Sequence, residues 1–220
     1  MKRISGYFSE LMLLLLLAHP MPAQDTLRTY GPRIGIDLAR FGYLFADPAQ
    51  TGAEFSLDAE IFPDIYPVLE AGYNSMSQNT DLYRYRSGGA YARIGADYNL
   101  LAPKEKSIHH SLTAGIRYGI SFFSHRAEHI TIPSDYWGDA EPDEYGQRLT
   151  GNWFELAGGV KTELVPNCFL GWSVRYKILV NPEMDPQVTP LLIPGYGRGT
   201  GQRGFGFTYQ FLYKIPIIKK

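Results

Sequence analysis

Eight segments of this chain alternate apolar and polar residues with a period of two, and no stretch carries a convincing helical period. They run over 33–43, 52–61, 66–74, 89–99, 109–123, 151–164, 168–179 and 203–215, each bounded by Gly, Pro, Asn, Asp or Ser clusters. The last is the strictest: Phe205, Phe207, Tyr209, Phe211, Tyr213 and Ile215 take every second place, with Gly204, Gly206, Thr208, Gln210 and Lys214 between them. Successive side chains of a strand point to opposite faces, so each segment is a strand with one apolar face. The pattern predicts an all-β fold, an eight-stranded antiparallel up-and-down barrel. Most segments reach the roughly 9 to 11 residues that a tilted membrane strand needs, which makes the expected barrel a transmembrane one.

The connections carry a second, independent signal. The second, fourth and sixth are short (62–65, 100–108 and 165–167), whereas 124–150 and 180–202 are long. Short turns at one end and long loops at the other is the pattern of an outer-membrane barrel whose termini both lie on the periplasmic side. The 180–202 connection holds Pro182, Pro186, Pro190 and Pro194 and then four closely spaced glycines. It reads as an extended, partly rigid segment, placed to fold over the barrel mouth as a lid.

Alternation alone fits two kinds of barrel, since a soluble lipocalin-like barrel turns its apolar face inward around a ligand. The polar face separates them. It carries many glycines, among them Gly35, Gly72, Gly95, Gly115, Gly119, Gly159 and Gly171, and a set of charges: Arg33, Asp37, Glu54, Asp58, Glu70, Arg93, Asp97, Arg117, Glu155, Lys161, Arg175 and Lys177, joined by Glu60, Glu163 and Lys214. Glycine weakens a strand and marks a close approach of another group, as in a crowded lumen. Seven positive charges against eight negative is the balance that buried charge requires, because an unpaired ion there costs several kcal/mol. The reading is a narrow lumen filled by an ion-pair lattice, with the aromatic face turned out to lipid. An eight-stranded barrel has room only for its own side chains, so a continuous pore is not expected.

The chain opens MKRISGYFSELMLLLLLAHPMPAQD, with Lys2 and Arg3, an apolar run from Leu11 to Ala18, Pro20 and Pro22, and Ala23. This predicts a secretory signal peptide over 1–23, its apolar run too short for a spanning helix, then a short segment 24–32 and the barrel over 33–217. Cys168 is the single cysteine, so an intramolecular disulfide is excluded. A formal net charge of −1 with no basic stripe gives no reason to expect nucleic acid as a partner.

The 124–150 connection holds the richest set of reactive side chains. Ser124, His125, His129 and Asp135 supply the nucleophile, base and acid types of a lipid-modifying hydrolase, but no spacing fixes which of them would meet. His125 and His129 are four apart, a zinc spacing only on a helix, and this region reads as strand end and loop. The acidic run Asp139, Glu141, Asp143 and Glu144 lacks the ordered spacing of a calcium loop and reads as solvated charge. No cofactor and no catalytic residue are assigned.

The stretches GADYNLL (95–101), GIRYGISFFSH (115–125), WFELAGGVKTEL (153–164), NCFLGWSVRYK (167–177), IPGYGR (193–198) and GFGFTYQFLYKIPI (204–217) together resemble an uncharacterised family of small Gram-negative outer-membrane β-barrel proteins, a domain of unknown function. The resemblance covers most of the mature chain, and the architecture is similar to that of OmpA-type and OmpX-type barrels. It implies a location in the cell outer membrane, with outer-membrane lipids and lipopolysaccharide around the barrel and the barrel-assembly machinery as a partner during insertion. It brings no activity, and names no external partner. The chain departs from many such barrels in running on past Phe211 and Tyr213 to PIIKK, instead of ending on an aromatic residue. Either the insertion signal lies upstream, or a short tail follows the last strand.

Overall fold

Barrel closure is visible in the pairing of the strands. The computed structural model describes residues 29–40, 49–101, 110–131, 144–181, 184–185 and 187–219, so the expected signal peptide lies outside the described residues. The strands are β1 (Thr29–Tyr30), β2 (Arg33–Asp37), β3 (Gln50–Asp58), β4 (Ile65–Asn79), β5 (Arg84–Asn99), β6 (Ser111–Glu128), β7 (Tyr145–Val165), β8 (Cys168–Leu179), β9 (Leu192–Ile193), β10 (Gly197–Arg198), β11 (Arg203–Lys214) and β12 (Ile218–Lys219). Strands β2 to β8 and β11 pair antiparallel in chain order, and β11 returns to β2 with Tyr213 opposite Ile34. The fold is a closed eight-stranded antiparallel barrel.

Several strand ends differ from the sequence reading. The first strand was expected to reach residue 43 but stops at Asp37, where Leu38–Arg40 turn helical. The Asp37 carboxylate accepts the Ala39 N–H at 3.0 Å, the hydrogen bond of a helix cap, and this diverts the chain. Strands β4 to β7 instead run further than expected toward the long-loop end. β6 continues to Glu128 and β7 begins at Tyr145, so the connection between them is far shorter than 124–150. Their outward residues there are polar, including Ser124 and Arg126, and this hid the continuing alternation. Beyond the barrel, the segment after β11 returns as β12 and pairs with β1, Thr29 opposite Lys219, at the short-turn end.

The two faces divide as the alternation demands. In β6 every second side chain from Ser111 to Ala127 points inward and is buried or half-buried, while Leu112, Ile116, Tyr118 and Phe122 are exposed on the outside. At the short turns Asp64 (φ 64°) and Asn167 (φ 69°) take the left-handed conformation that Asp and Asn tolerate best.

Glycine sits inside where a large neighbour leaves no room. Gly119 lies directly opposite Trp153, and a methyl group at Gly119 would run into the indole ring. The ring cannot retreat, because it is fully buried and its Nε1 donates to Glu155 at 2.6 Å. Gly119→Ala is therefore expected to cost about 1–3 kcal/mol, read as a lower urea midpoint for unfolding from detergent micelles.

Candidate functional site

The lumen holds two layers of different chemistry. The first is the charge lattice. All twelve residues assigned to it from the sequence are buried, six cations and six carboxylates. Arg93, on β5, occupies the centre: its guanidinium reaches Glu54, lies 3.2 Å from Glu70 and approaches Glu155 at 3.5 Å. Arg175 grips Glu70 through two nitrogens, at 2.7 and 2.8 Å, the fork geometry in which arginine is strongest. Arg117 links Glu70 to Asp97, and Lys161 links Asp97 (3.5 Å) to Asp58 (2.7 Å), which also holds Arg33.

The lattice thus runs without a break from β2 around to β8. Arg93, Arg117, Lys161 and Arg175 each bridge carboxylates on different strands, while Arg33 faces Asp58 and Lys177 faces Glu155, so no lattice cation is removed from water without a counter-charge. A polar cavity of about 20 Å³ remains beside Arg117, Lys161, Ser173 and Gln210, roughly the room for one water molecule.

Two members escaped the sequence reading. Arg40 follows the helical turn back over the lumen and pairs with Glu54 at 3.1 Å and Asp37 at 3.5 Å. Tyr91 donates to Glu54 at 2.6 Å.

The second layer is an apolar plug at the long-loop end. Tyr91, Phe123, Trp153 and Leu179 project inward from the barrel wall and bury Ile193 and Tyr196 of the connection between β8 and β11. That connection enters the mouth as the β9–β10 ribbon. It is tied down by hydrogen bonds to barrel side chains: Ser87 Oγ donates to the Leu192 carbonyl (2.9 Å), Leu191 N donates to the Tyr85 hydroxyl (2.9 Å), and Lys177 Nζ donates to the carbonyls of Gly195 (2.7 Å) and Tyr196 (3.0 Å). Gly195 has φ +78°, and a Cβ there would lie 2.5 Å from the Tyr91 ring, so conformation and space both require glycine.

The serine, histidine and acid candidates are not brought together. Ser124 and His125 are neighbours on a strand and so face opposite sides: Ser124 is exposed outside, His125 is buried inside. His129 is exposed past the strand end with φ 52°, and Asp135 lies outside the described residues. The expected grouping in one loop fails because β6 carries Ser124 and His125 in its own alternation. His125 instead meets Asp185, a residue the sequence did not single out, with Nε2 at 2.8 Å from Oδ2. The Tyr145 hydroxyl donates to the same carboxylate at 2.8 Å, and the Gln187 and Val188 N–H groups cap it at 2.9 and 3.2 Å. Asp185 is thus the latch that fastens the start of the plug to β6 and β7.

Burial alone would raise the Asp185 pKa, but the donors from Gln187, Tyr145, Val188 and His125 outweigh it and hold the group below its ordinary value. A carboxylate depressed in the folded state stabilises the closed plug above its unfolded pKa, about 4, and that contribution is lost as pH falls through the lower folded value. Amide exchange of residues 187–199, corrected for intrinsic rates, is expected to accelerate below about pH 4 as Asp185 is protonated. Asp185→Asn should bring that acceleration to neutral pH.

Comparison with known proteins adds a family. The family model described as Domain of unknown function (DUF6048) matches residues 4–220. The chain belongs to this DUF6048 family. No curated protein matches it. Among solved structures, the crystal structure of Neisserial surface protein A is similar at 10% identity, covering 85% of this chain and 96% of that one, with a TM-score of 0.36. The membership agrees with the resemblance read from the motifs, and brings a family with no assigned chemistry.

Proposed function

We propose that this DUF6048 chain is an integral outer-membrane β-barrel of structural or surface-interaction role, its lumen closed by ion pairs and its outer mouth by the 184–202 plug. The observation that carries this is the inverted distribution of polarity. Phe205 is 78% exposed, Ile116 66% and Ile94 64%, while Arg93 and Arg175 inside the barrel are each 1% exposed. A soluble barrel gains its stability by the opposite arrangement, and so wide an apolar exterior requires a partner surface.

Lipid fits the dimensions. On β6 the outward apolar set runs from Leu112 to Phe122, ten residue steps, or roughly 33 Å along the strand and about 25 Å along the axis of a barrel with strands tilted near 40°. That is the height of the apolar band of an outer-membrane barrel. Tyr73 and Phe122 border it at the long-loop end, Tyr98 and Tyr213 at the short-turn end, which supports aromatic girdles at both interfaces. In this orientation the termini face the periplasm and the plug faces outward.

The filled lumen favours a closed barrel over a pore, and the separation of Ser124 from His125 gives the hydrolase reading no assembled site among the described residues. The test is fractionation of cells producing the full chain. The protein should stay with outer-membrane pellets through salt and carbonate washes and need detergent for release. Recovery in the soluble periplasmic fraction would sink the proposal.

A further inference from the structure

Strands β4 to β7 continue past the aromatic border at the long-loop end, and the outward face of this extension is basic. The register stacks it in rows. Tyr73, Ala90, Phe122 and Thr150 form the border row; Ser75, Gly88, Ser124 and Arg148 lie one pleat beyond; Ser77, Arg86, Arg126 and Gly146 follow; and Asn79, Arg84 and Glu128 end the set. Arg86 and Arg126 face each other directly across β5 and β6, a like-charge pair that destabilises a sheet unless an anion joins it. Arg148 lies on the adjoining diagonal of β7. All three are exposed, and among the described residues Arg126 pairs only with Glu128, at 3.3 Å, while Arg86 and Arg148 have no ion-pair partner.

We propose that Arg86, Arg126 and Arg148 form a docking surface for the phosphates of a glycolipid in the outer leaflet. The inference rests on the membrane reading above. Height supports it: the rows of Arg148 and of Arg86 with Arg126 lie roughly 5 and 10 Å beyond the border row on strands tilted near 40°, the depth of a lipid headgroup above the hydrocarbon. Charge supports it too, since a phosphate between Arg86 and Arg126 relieves their repulsion and accepts the paired N–H groups that guanidinium offers. The acyl chains of the same molecule would lie along Phe122 and Tyr73 just below. Nothing in this arrangement needs the strands to move.

The test uses the full chain in phosphatidylcholine vesicles with added bis-phosphorylated lipid A, dephosphorylated lipid A, or neither, followed by detergent release and native mass spectrometry of retained lipid. The wild type should retain the bis-phosphorylated form selectively. The variant R86Q/R126Q/R148Q should bind it roughly a hundredfold more weakly, from the roughly fivefold that each arginine near a charged lipid surface contributes. R86K/R126K/R148K should fall between the wild type and the glutamine variant, because the charge remains while the paired N–H groups of guanidinium are lost. These exposed positions leave the lumen intact, and the glutamine variant removes a like-charge pair, so unfolding midpoints without added lipid A should not fall. Equal retention of both lipid A forms, or undiminished retention by the glutamine variant, would overturn the docking surface. Failure of the wild type to enter vesicles at all would overturn the membrane reading beneath it.

Discussion

Arg93→Met is expected to lower the stability of the barrel by about 3–5 kcal/mol, enough to prevent much of the protein from reaching the folded form. The guanidinium is fully buried and stands between Glu54, Glu70 and Glu155. Removing it strips Glu54 of its closest cation and leaves like charges facing one another in a space that water does not reach. The cost is that of uncompensated burial, much larger than the net worth of an intact pair. A second substitution separates this from a simple packing loss. Glu54→Gln in the Arg93→Met background should recover part of the deficit, since it removes the charge that the arginine balanced. Urea unfolding of both variants, followed by gel mobility before and after heating, measures the recovery. Arg93 variants that unfold at the wild-type midpoint would mean that the lattice adds nothing to the fold.

The outer face gives the second large effect. Ile116 stands near the middle of the apolar band and is 66% exposed. In a bilayer, Ile116→Arg should cost about 2–4 kcal/mol, because a cation at the midplane must be dragged from water into hydrocarbon. The same change at Ser124, on the same strand face above the border, should cost no more than about 1 kcal/mol. Unfolding from phosphatidylcholine vesicles reads both. For a barrel surrounded by water both changes would be harmless, so the contrast in depth carries the information.

The sequence disclosed the barrel and its inside well because both follow from one periodicity. Once Phe205 to Ile215 is taken as a face, Gly204, Gly206, Thr208, Gln210 and Lys214 must be the other, and within the apolar band the strand charges fall on that side. Which carboxylate meets which guanidinium was not legible. It depends on stagger around the barrel, which brings Arg175 to Glu70 from 105 positions away.

The plug was only half legible. Its prolines and glycines suggested a lid, and the doublets Phe122–Phe123, Trp153–Phe154 and Ile178–Leu179 mark where both faces turn apolar at the long-loop end. That doubling was the available sign of an apolar partner inside the mouth. The Asp185 latch had no such sign, since a lone aspartate in a proline-rich loop looks like any solvated charge until β6 and β7 deliver His125 and Tyr145 to it.

The central claim is that the aromatic face meets lipid while the charged face is shielded from it. Two tryptophans report on this directly: Trp172 on the outer face is 49% exposed, and Trp153 in the lumen is fully buried. With Trp137 replaced by Phe, two variants keep one reporter each, through Trp153→Phe or Trp172→Phe, and are placed in vesicles whose acyl chains carry bromine. Strong quenching of Trp172 fluorescence with Trp153 left nearly unquenched is the predicted result. Trp172 emission untouched by brominated lipid would contradict the account.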